Sequence, residues 1–341
     1  MSNICYITPP HILREVIKRG NDRQREWALN TLMLSERFRG SRQSISITMV
    51  SEVIEEKKRY VYDAKGGYIL PGVLVREEGG KDSNDKTVNE AYDGAGATYD
   101  LFKNVYERNS IDDRGMSIIS TVHYGKEYNN AFWDGRQMVY GDGDGEIFNR
   151  FTKSIDVIAH ELTHGITQYE AALVYWDQPG ALNEHMSDVF GSIVKQYVMN
   201  QKVDEADWLI GEGLFTSKVN GIALRSMKKP GSAYDDPILG KDPQPSHMKD
   251  YVDTNDDNGG VHINSGIPNH AFYLTAMELG GYSWEKAGLI WYIALRDLLR
   301  RRSNFKRAAQ VTCKVAERIF GKNSKEYNAV YNGWKEVGIE I

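Results

Sequence analysis

His160 and His164 stand four positions apart, with Glu161 directly after the first. On a helix that spacing turns the two imidazoles only about 40° apart, so both can grip one metal ion. Glu161 lies about 100° round the same axis, where its carboxylate reaches a water beside the metal and not the metal itself. Further along runs Asn183-Glu184-His185-Met186-Ser187-Asp188. Glu184 supplies a third ligand there, giving two histidines, one glutamate and an open fourth position, the form that a catalytic zinc takes. Asp188, one turn later, is suited to orient a histidine ligand from behind. One Zn²⁺ so held acidifies its water, and Glu161 is the base that takes the proton and passes it to a leaving amine.

Blander readings compete with this one. A bare match to the first string also arises from two surface histidines. A structural zinc would be closed by a fourth protein ligand and would leave Glu161 without a purpose. An interaction module without a metal would need none of the set. Within zinc hydrolases, the places where one large class carries a further Gly and His hold Thr167 and Glu170, and the Gly-x-Met-Glu-Asn string of similar aminopeptidases is absent. The set therefore points to an endopeptidase with a glutamate ligand.

The string from Asp156 to Gly191 resembles the thermolysin family of zinc metallopeptidases. So do Tyr128-Asn129-Asn130-Ala131-Phe132-Trp133, Gly141 to Gly145, Leu224-Arg225-Ser226-Met227 and Asp257 to Gly266, all in family order. The short N-terminal segment with Pro9-Pro10 is similar to that of the protealysin-like branch. The resemblance implies an α+β fold of two lobes, β-rich then α-helical, with the zinc helix between them and a short helical propeptide in front. It implies that Tyr175 and His262 donate to the oxyanion and that Asp257 fixes the His262 ring. Asn130 and the backbone of Ala131 and Trp133 would bind the substrate main chain, and Arg225 a substrate carbonyl. Phe148, Phe151, Val157, Ile210, Leu214 and Leu224 would line the pocket for the residue after the scissile bond. All six are apolar, so cleavage before a large hydrophobic residue is expected.

The family's double calcium site is expected to be absent. Its positions hold Asp156, Lys195, Asp207, Leu209 and Glu212, and clustered carboxylates that need a cation would find one in the Lys195 ammonium. A second calcium loop is also expected lost, with Ile222 where a carboxylate would stand. Asp253 to Gly259 imitates an EF-hand start, but its glycine falls late and its closing acid is missing, so it reads as a turn that positions Asp257 and His262. Gly141 to Gly145 lacks the lysine of a phosphate loop and reads as a tight turn.

The elements that must carry these groups are legible in outline. Residues 1–44 form a segment with two short helices, Pro10 opening the first and Asp22 capping the second, and with a polar, cleavable stretch at Arg39 to Ser44. Ile45 to Val53, Tyr60 to Leu74, Ile118 to Tyr124 and Gln137 to Tyr140 read as strands, with a turn at Gly66-Gly67 and a helix over Val88 to Asn109. Apolar periodicity then predicts helices over 154–170, 180–200, 265–280, 284–300 and 304–320. The domains expected are 1–44, an inhibitory propeptide; 45–170, a β-rich lobe with the zinc helix; and 171–341, an α-helical lobe.

Segment 1–44 carries eight Lys/Arg against four Asp/Glu, whereas the whole chain has a net charge of −5. Opposite signs favour docking of the segment on the body. The overall acidity makes nucleic acid an unsuitable partner. Peptide and protein substrates, and the chain's own propeptide, are the expected ones, on a monomer. No apolar run approaches the ~18 residues of a membrane span. The N-terminus lacks the pattern of a Sec leader, which leaves an intracellular enzyme or release by another route. The two cysteines, Cys5 and Cys313, exclude a framework of disulfides. Cys313 reads as a small buried group, and Cys5 is open to packing or to ligating the zinc as a thiolate.

Overall fold

The computed structural model describes residues 5–41 and 56–341. Strand propensity gathers first into a six-stranded sheet, built from β1 (Cys5–Tyr6), β2 (Arg59–Asp63), β3 (Val73–Glu77), β4 (Ile118–Val122), β5 (Ala131–Trp133) and β6 (Met138–Tyr140). Their order across the sheet is β1-β5-β6-β4-β2-β3, so the edge strand at one side comes from the N-terminus of the chain. The run Tyr60 to Leu74 splits into β2 and the start of β3, joined through Gly66-Gly67. The strand expected at Ile45 to Val53 lies outside the described residues, as do the side chains of Arg39 to Ser44.

The N-terminal hairpin of α1 (Pro10–Arg19) and α2 (Asp22–Ser41) follows the predicted punctuation with one correction. Asn21, not Asp22, caps α2. Its Oδ1 accepts from Gln24 N at 3.0 Å while Gln24 Oε1 accepts from Asn21 N at 2.9 Å, a reciprocal box that satisfies two free amides at the helix start. Helix α3 (Lys86–Tyr106) starts at the Asp85 cap, whose carboxylate accepts from Thr87 N. It lies between the sheet and the following pair, α4 (Ile155–Tyr169) and α5 (Asp177–Met199).

Helices α4 and α5 carry both metal motifs, and they approach closely at Gly191. A Cβ there would sit 2.6 Å from the Asp156 carbonyl oxygen, so any side chain would push the two helices apart. After α5 come a short hairpin of β7 (Leu209–Ile210) and β8 (Arg225–Ser226), a second of β9 (Asp235–Asp236) and β10 (Gly240–Lys241), then α6 (Asp257–Asn264), α7 (Gly266–Leu279), α8 (Ala287–Ile293), α9 (Phe305–Phe320) and α10 (Lys325–Glu336). Helix α8 ends in a wider π-type turn, Ala294–Leu298, so the helix expected over 284–300 is shorter than its apolar pattern. Helix α10 went unpredicted. Trp334 on it stacks on Trp291 of α8 at 6.0 Å, and that tertiary contact buries its apolar face. The mixture of one six-stranded sheet, two short hairpins and many helices is the α+β class expected. No helix among the described residues is long and apolar enough to cross a membrane.

Candidate metal centre and substrate cleft

His160, Glu161 and His164 all lie on α4, and their ligand atoms fall within 4.8 Å of one another. His160 Nδ1 lies 2.8 Å from Asp188 Oδ1, and His164 Nδ1 lies 2.8 Å from Asn183 Oδ1. Both rings thus turn the other nitrogen inward, and the two Nε2 atoms face each other at 3.0 Å. Glu184 on α5 completes the set, with its oxygens 3.4 Å from each Nε2. Its Oε2 is buried and has no hydrogen-bond partner. Two convergent imidazole nitrogens beside an unsatisfied buried carboxylate oxygen are a donor set for a cation, and this nitrogen–oxygen mixture fits zinc.

The electrostatics agree. Burial opposes a charge on His160, yet Asp188 and Glu184 outweigh it and lift the ring to about 9. Burial above all, with His160 and His262 adding to it, drives His164 the other way, to about 3. Positive charge is therefore favoured at this point, and one ring remains a neutral donor. Burial above all pushes the Glu161 carboxyl up to about 8. Its Oε2 accepts from Trp133 N at 3.0 Å, and its Oε1 is buried and unpartnered beside the two histidines.

Across the cleft, α6 is not a regular helix at its start. Asp257, Asn258, Gly259 and Gly260 all have positive φ, and at Gly259 a Cβ would also meet the Asp177 backbone at 2.9 Å. This turn lets the Asp257 carboxylate accept from His262 N at 2.9 Å and from His262 Nδ1 at 2.7 Å. The expected turn is there. Burial works against the His262 charge, but Asp257 and Glu184 hold its pKa above the usual value. Tyr175 Oη lies 3.2 Å from His262 Nε2 and donates to Glu184. Arg225 on β8 donates from Nε and Nη2 to both oxygens of Asp188, at 2.9 and 2.8 Å. Asp188 thus serves a metal-site histidine and Arg225 together.

The six pocket residues Phe148, Phe151, Val157, Ile210, Leu214 and Leu224 are all buried, at 1% exposure or less, and belong to one apolar cluster. The Phe148 and Phe151 rings lie 5.6 Å apart, and Leu214 and Leu224 both flank Gly211.

The N-terminal segment occupies the cleft. Strand β1 runs antiparallel to β5, with Cys5 opposite Trp133 and Tyr6 opposite Phe132. Ile7 N donates to the Ala131 carbonyl at 3.2 Å, and Thr8 N donates to Asn130 Oδ1 at 2.9 Å. His262 Nε2 donates to the Tyr6 carbonyl at 2.8 Å, and Arg225 Nη1 to the Ile7 carbonyl at 3.3 Å. Ile7 is fully buried in the cluster that contains the six pocket residues. The sequence reading missed Cys5 to Thr8 as an extended stretch, because two residues of strand before Pro9-Pro10 carry no periodicity. It also missed Asn183, His185 and Asn269, although the first two stand inside the motif that holds Glu184. The thiolate role considered for Cys5 concerns a side chain outside the described residues. Cys313 on α9 is buried, which pushes its thiol up to about 12.

Lys195 meets three of the acidic residues at the positions expected of the family calcium site. Its Nζ lies 2.5 Å from Asp207, 3.2 Å from Glu212 and 3.7 Å from Asp156. Leu209 offers only its backbone N–H, to Asp207, and Ile222 is exposed.

Residues 39–168 match the family pattern described as thermolysin metallopeptidase, catalytic domain, and residues 171–339 match its alpha-helical domain. The chain belongs to the thermolysin family of metallopeptidases. An extracellular metalloprotease of Pectobacterium carotovorum subsp. carotovorum is 51% identical over 339 residues, covering 99% of this chain and 97% of the relative. Thermolysin of Alicyclobacillus acidocaldarius is 42% identical over 289 residues but spans 82% of this chain and only 50% of its own length. The solved precursor of protealysin, a metalloproteinase from Serratia proteamaculans, superposes with a TM-score of 0.90 at 52% identity, over 98% of this chain and 100% of that one. Within the family, then, this chain is of the protealysin-like branch. It is a zinc metalloendopeptidase in zymogen form.

Proposed function

We propose that residues 1 to about 44 inhibit the enzyme by lying in the cleft as a peptide substrate does, and that the enzyme removes them itself. The observation that carries this is the Tyr6-Ile7 pair. One carbonyl faces His262 and the next faces Arg225, on a strand antiparallel to β5. These are the partners expected for a substrate main chain. After removal, Asn130, Ala131, Trp133 and Arg225 bind the substrate in the same way, and the pocket of Phe148, Phe151, Val157, Ile210, Leu214 and Leu224 takes a large apolar side chain after the cleaved bond.

His160, His164 and Glu184 hold the zinc, and Asp188 orients His160. Bound there, zinc acidifies water and polarises the scissile carbonyl. Glu161 takes a proton at its free Oε1 while Trp133 N fixes Oε2, and its raised pKa suits it to pass that proton to the leaving amine. His262, charged against Asp257, and Tyr175 donate to the developing oxyanion, each worth about 3–4 kcal/mol by analogy with other such donors. The chain needs no family calcium at the α5 site, because Lys195 neutralises Asp156, Asp207 and Glu212. The enzyme works as a monomer. The extracellular relative supports release from the cell over retention.

The test compares wild type with Glu161→Gln. Wild type should lose a fragment of about 44 residues and cleave peptides before Leu, Phe or Ile, whereas Glu161→Gln stays full length with its zinc. A fully active, uncut wild-type chain overturns the inhibitory reading, and an acidic or basic preference in a peptide library overturns the pocket. A rise in melting temperature of several degrees with calcium refutes the replacement by Lys195.

A further inference from the structure

Asp188 serves both the metal side and the Arg225 side of the cleft, and it accepts from four donor atoms. His160 Nδ1 and Arg225 Nη2 reach Oδ1, both at 2.8 Å. Arg225 Nε at 2.9 Å and Asn269 Nδ2 at 2.8 Å reach Oδ2. A bidentate guanidinium is the strongest of these partners, and unopposed it draws the carboxylate into its own plane. Asn269, on α7, adds a donor to Oδ2 from a different element, beside Arg225 Nε.

The direction of Asn269 is itself determined. Its Oδ1 lies 2.8 Å from His185 Nδ1, and His185 Nε2 accepts from the Trp291 indole N–H at 2.8 Å. An indole N–H only donates and a carboxylate only accepts, so the two ends set the polarity of every link between them. Trp291 donates to His185, His185 to Asn269, and Asn269 to Asp188. His185, Asn269, Asp188 and Trp291 are all fully buried, so no water substitutes for a missing partner. The relay ties α8 and α7 of the helical lobe to the metal helix α4.

We propose that Asn269 and His185 are positioning residues that hold Asp188, and through it both His160 and Arg225, in the arrangement that binds zinc and substrate. This rests on the reading of His160 as a zinc ligand and of Arg225 as the partner of a substrate carbonyl. Neither Asn269 nor His185 touches the metal or the substrate, so the effect is transmitted through one shared carboxylate.

The experiment reads zinc release from the full-length chain into excess chelator, in a Glu161→Gln background that prevents self-cleavage, and the KM of the processed enzyme without that change. Zinc content of the unaltered chain is measured first, and a chain without zinc would overturn the metal reading and this inference together. Asn269→Leu should release zinc about 10- to 100-fold faster, the range typical for partners behind a metal ligand, and should raise KM at an unchanged melting temperature. His185→Gln preserves the polarity, since its amide oxygen accepts from Trp291 and its amide N–H donates to Asn269. It should keep zinc release close to the unaltered value, whereas His185→Phe, which can do neither, should behave like Asn269→Leu. A folded Asn269→Leu with unaltered zinc release and KM overturns the proposal. Should that variant not fold, the His185 pair decides: faster release from Phe than from Gln supports the relay, and equal release from the two overturns it.

Discussion

Two sets of contacts meet at His262, and they are built in opposite ways. On one side stands the metal centre, where every link depends on a particular side chain. His160, His164, Glu184 and Asp188 are all buried, and each hydrogen bond needs that residue type at that position. On the other side lies the strand Cys5–Tyr6 with Ile7 and Thr8. Its links run through its own backbone amides and carbonyls, to Ala131, Asn130, His262 and Arg225. Almost any residue presents the same backbone groups. The centre is therefore specified by sequence, and the docked strand mainly by shape and by one buried side chain, Ile7. That contrast suits an enzyme whose cleft must accept many peptides yet hold a single metal.

The largest effect expected lies on the centre's side of this contrast. Glu161→Gln should lower the peptidase rate by at least about 10² to 10⁴-fold, the usual worth of a positioned general base. Zinc content, measured by atomic absorption, should stay at the unaltered value. Added prosegment should still dock, because the backbone links do not involve Glu161. Cleavage at near the original rate would dissolve the distinction between centre and docking strand.

The next effect lies where docking does depend on a side chain. His11 Nε2 lies 2.9 Å from Tyr234 Oη, and its Nδ1 is buried without a partner. Burial lowers its pKa from 6.5 to about 4, with Asp257 opposing and His262, Arg225 and Arg14 adding to the fall. A base whose pKa falls on docking stabilises the docked state above its free value and loses that contribution as pH falls. Docking should therefore weaken from pH 6.5 downward, by up to about tenfold per unit, and level off near 4. Inhibition of processed enzyme by added prosegment, measured against pH, checks this. His262 also titrates in the cleft, so the reading is the difference between the unaltered prosegment and His11→Leu. Parallel curves for the two would remove His11 from the account.

Ile7 sharpens the comparison further. It is fully buried, and truncation of a buried isoleucine costs about 2 kcal/mol or more. Ile7→Ala should therefore weaken prosegment inhibition by roughly 30-fold. Substitution of exposed Met33 on α2 should change little. Equal losses at the two positions would mean that docking does not depend on the pocket.

The same contrast explains what was readable beforehand. His160, His164, Glu184, Glu161, Asp188, His262 and Asp257 are side chains in strings legible in the sequence, and the fold brings them together. Lys195 was found by its charge at a position that would otherwise carry an acid. Strand β1 was not found, since main-chain pairing of two residues leaves no pattern. Asn269 stands 81 positions from Asp188, and only the packing of α7 on α5 brings them together. The cap at Asn21 was misread by one residue, because Asn and Asp side by side both suit an N-cap and only the Gln24 partner separates them.

The smallest effect concerns charge, where the sequence argument promised most. A basic segment on an acidic body favours docking in principle. Among the described side chains of the segment, three of the five basic groups are answered within it. Lys18 and Arg19 both pair with Glu15 of their own helix, and Arg25 pairs with Asp22. Among the described residues, the ion pairs that cross to the body are Arg14 with Asp256 at 3.1 Å and Arg23 with Glu127 at 3.0 Å, and the arginine side chains are 42% and 63% exposed. Exposed pairs of this kind are worth about 0.2–1 kcal/mol each and fade with salt. Arg14→Ala and Arg23→Ala should therefore each weaken prosegment inhibition by no more than about fivefold, and by less at 0.5 M than at about 0.05 M salt. The long-range field of the segment still speeds encounter, so the salt dependence should fall mainly on the association rate and little on dissociation. Stopped-flow measurement of both rates distinguishes these. A dissociation rate that climbs steeply with salt would mean that ion pairs, and not the strand and Ile7, hold the segment in the cleft.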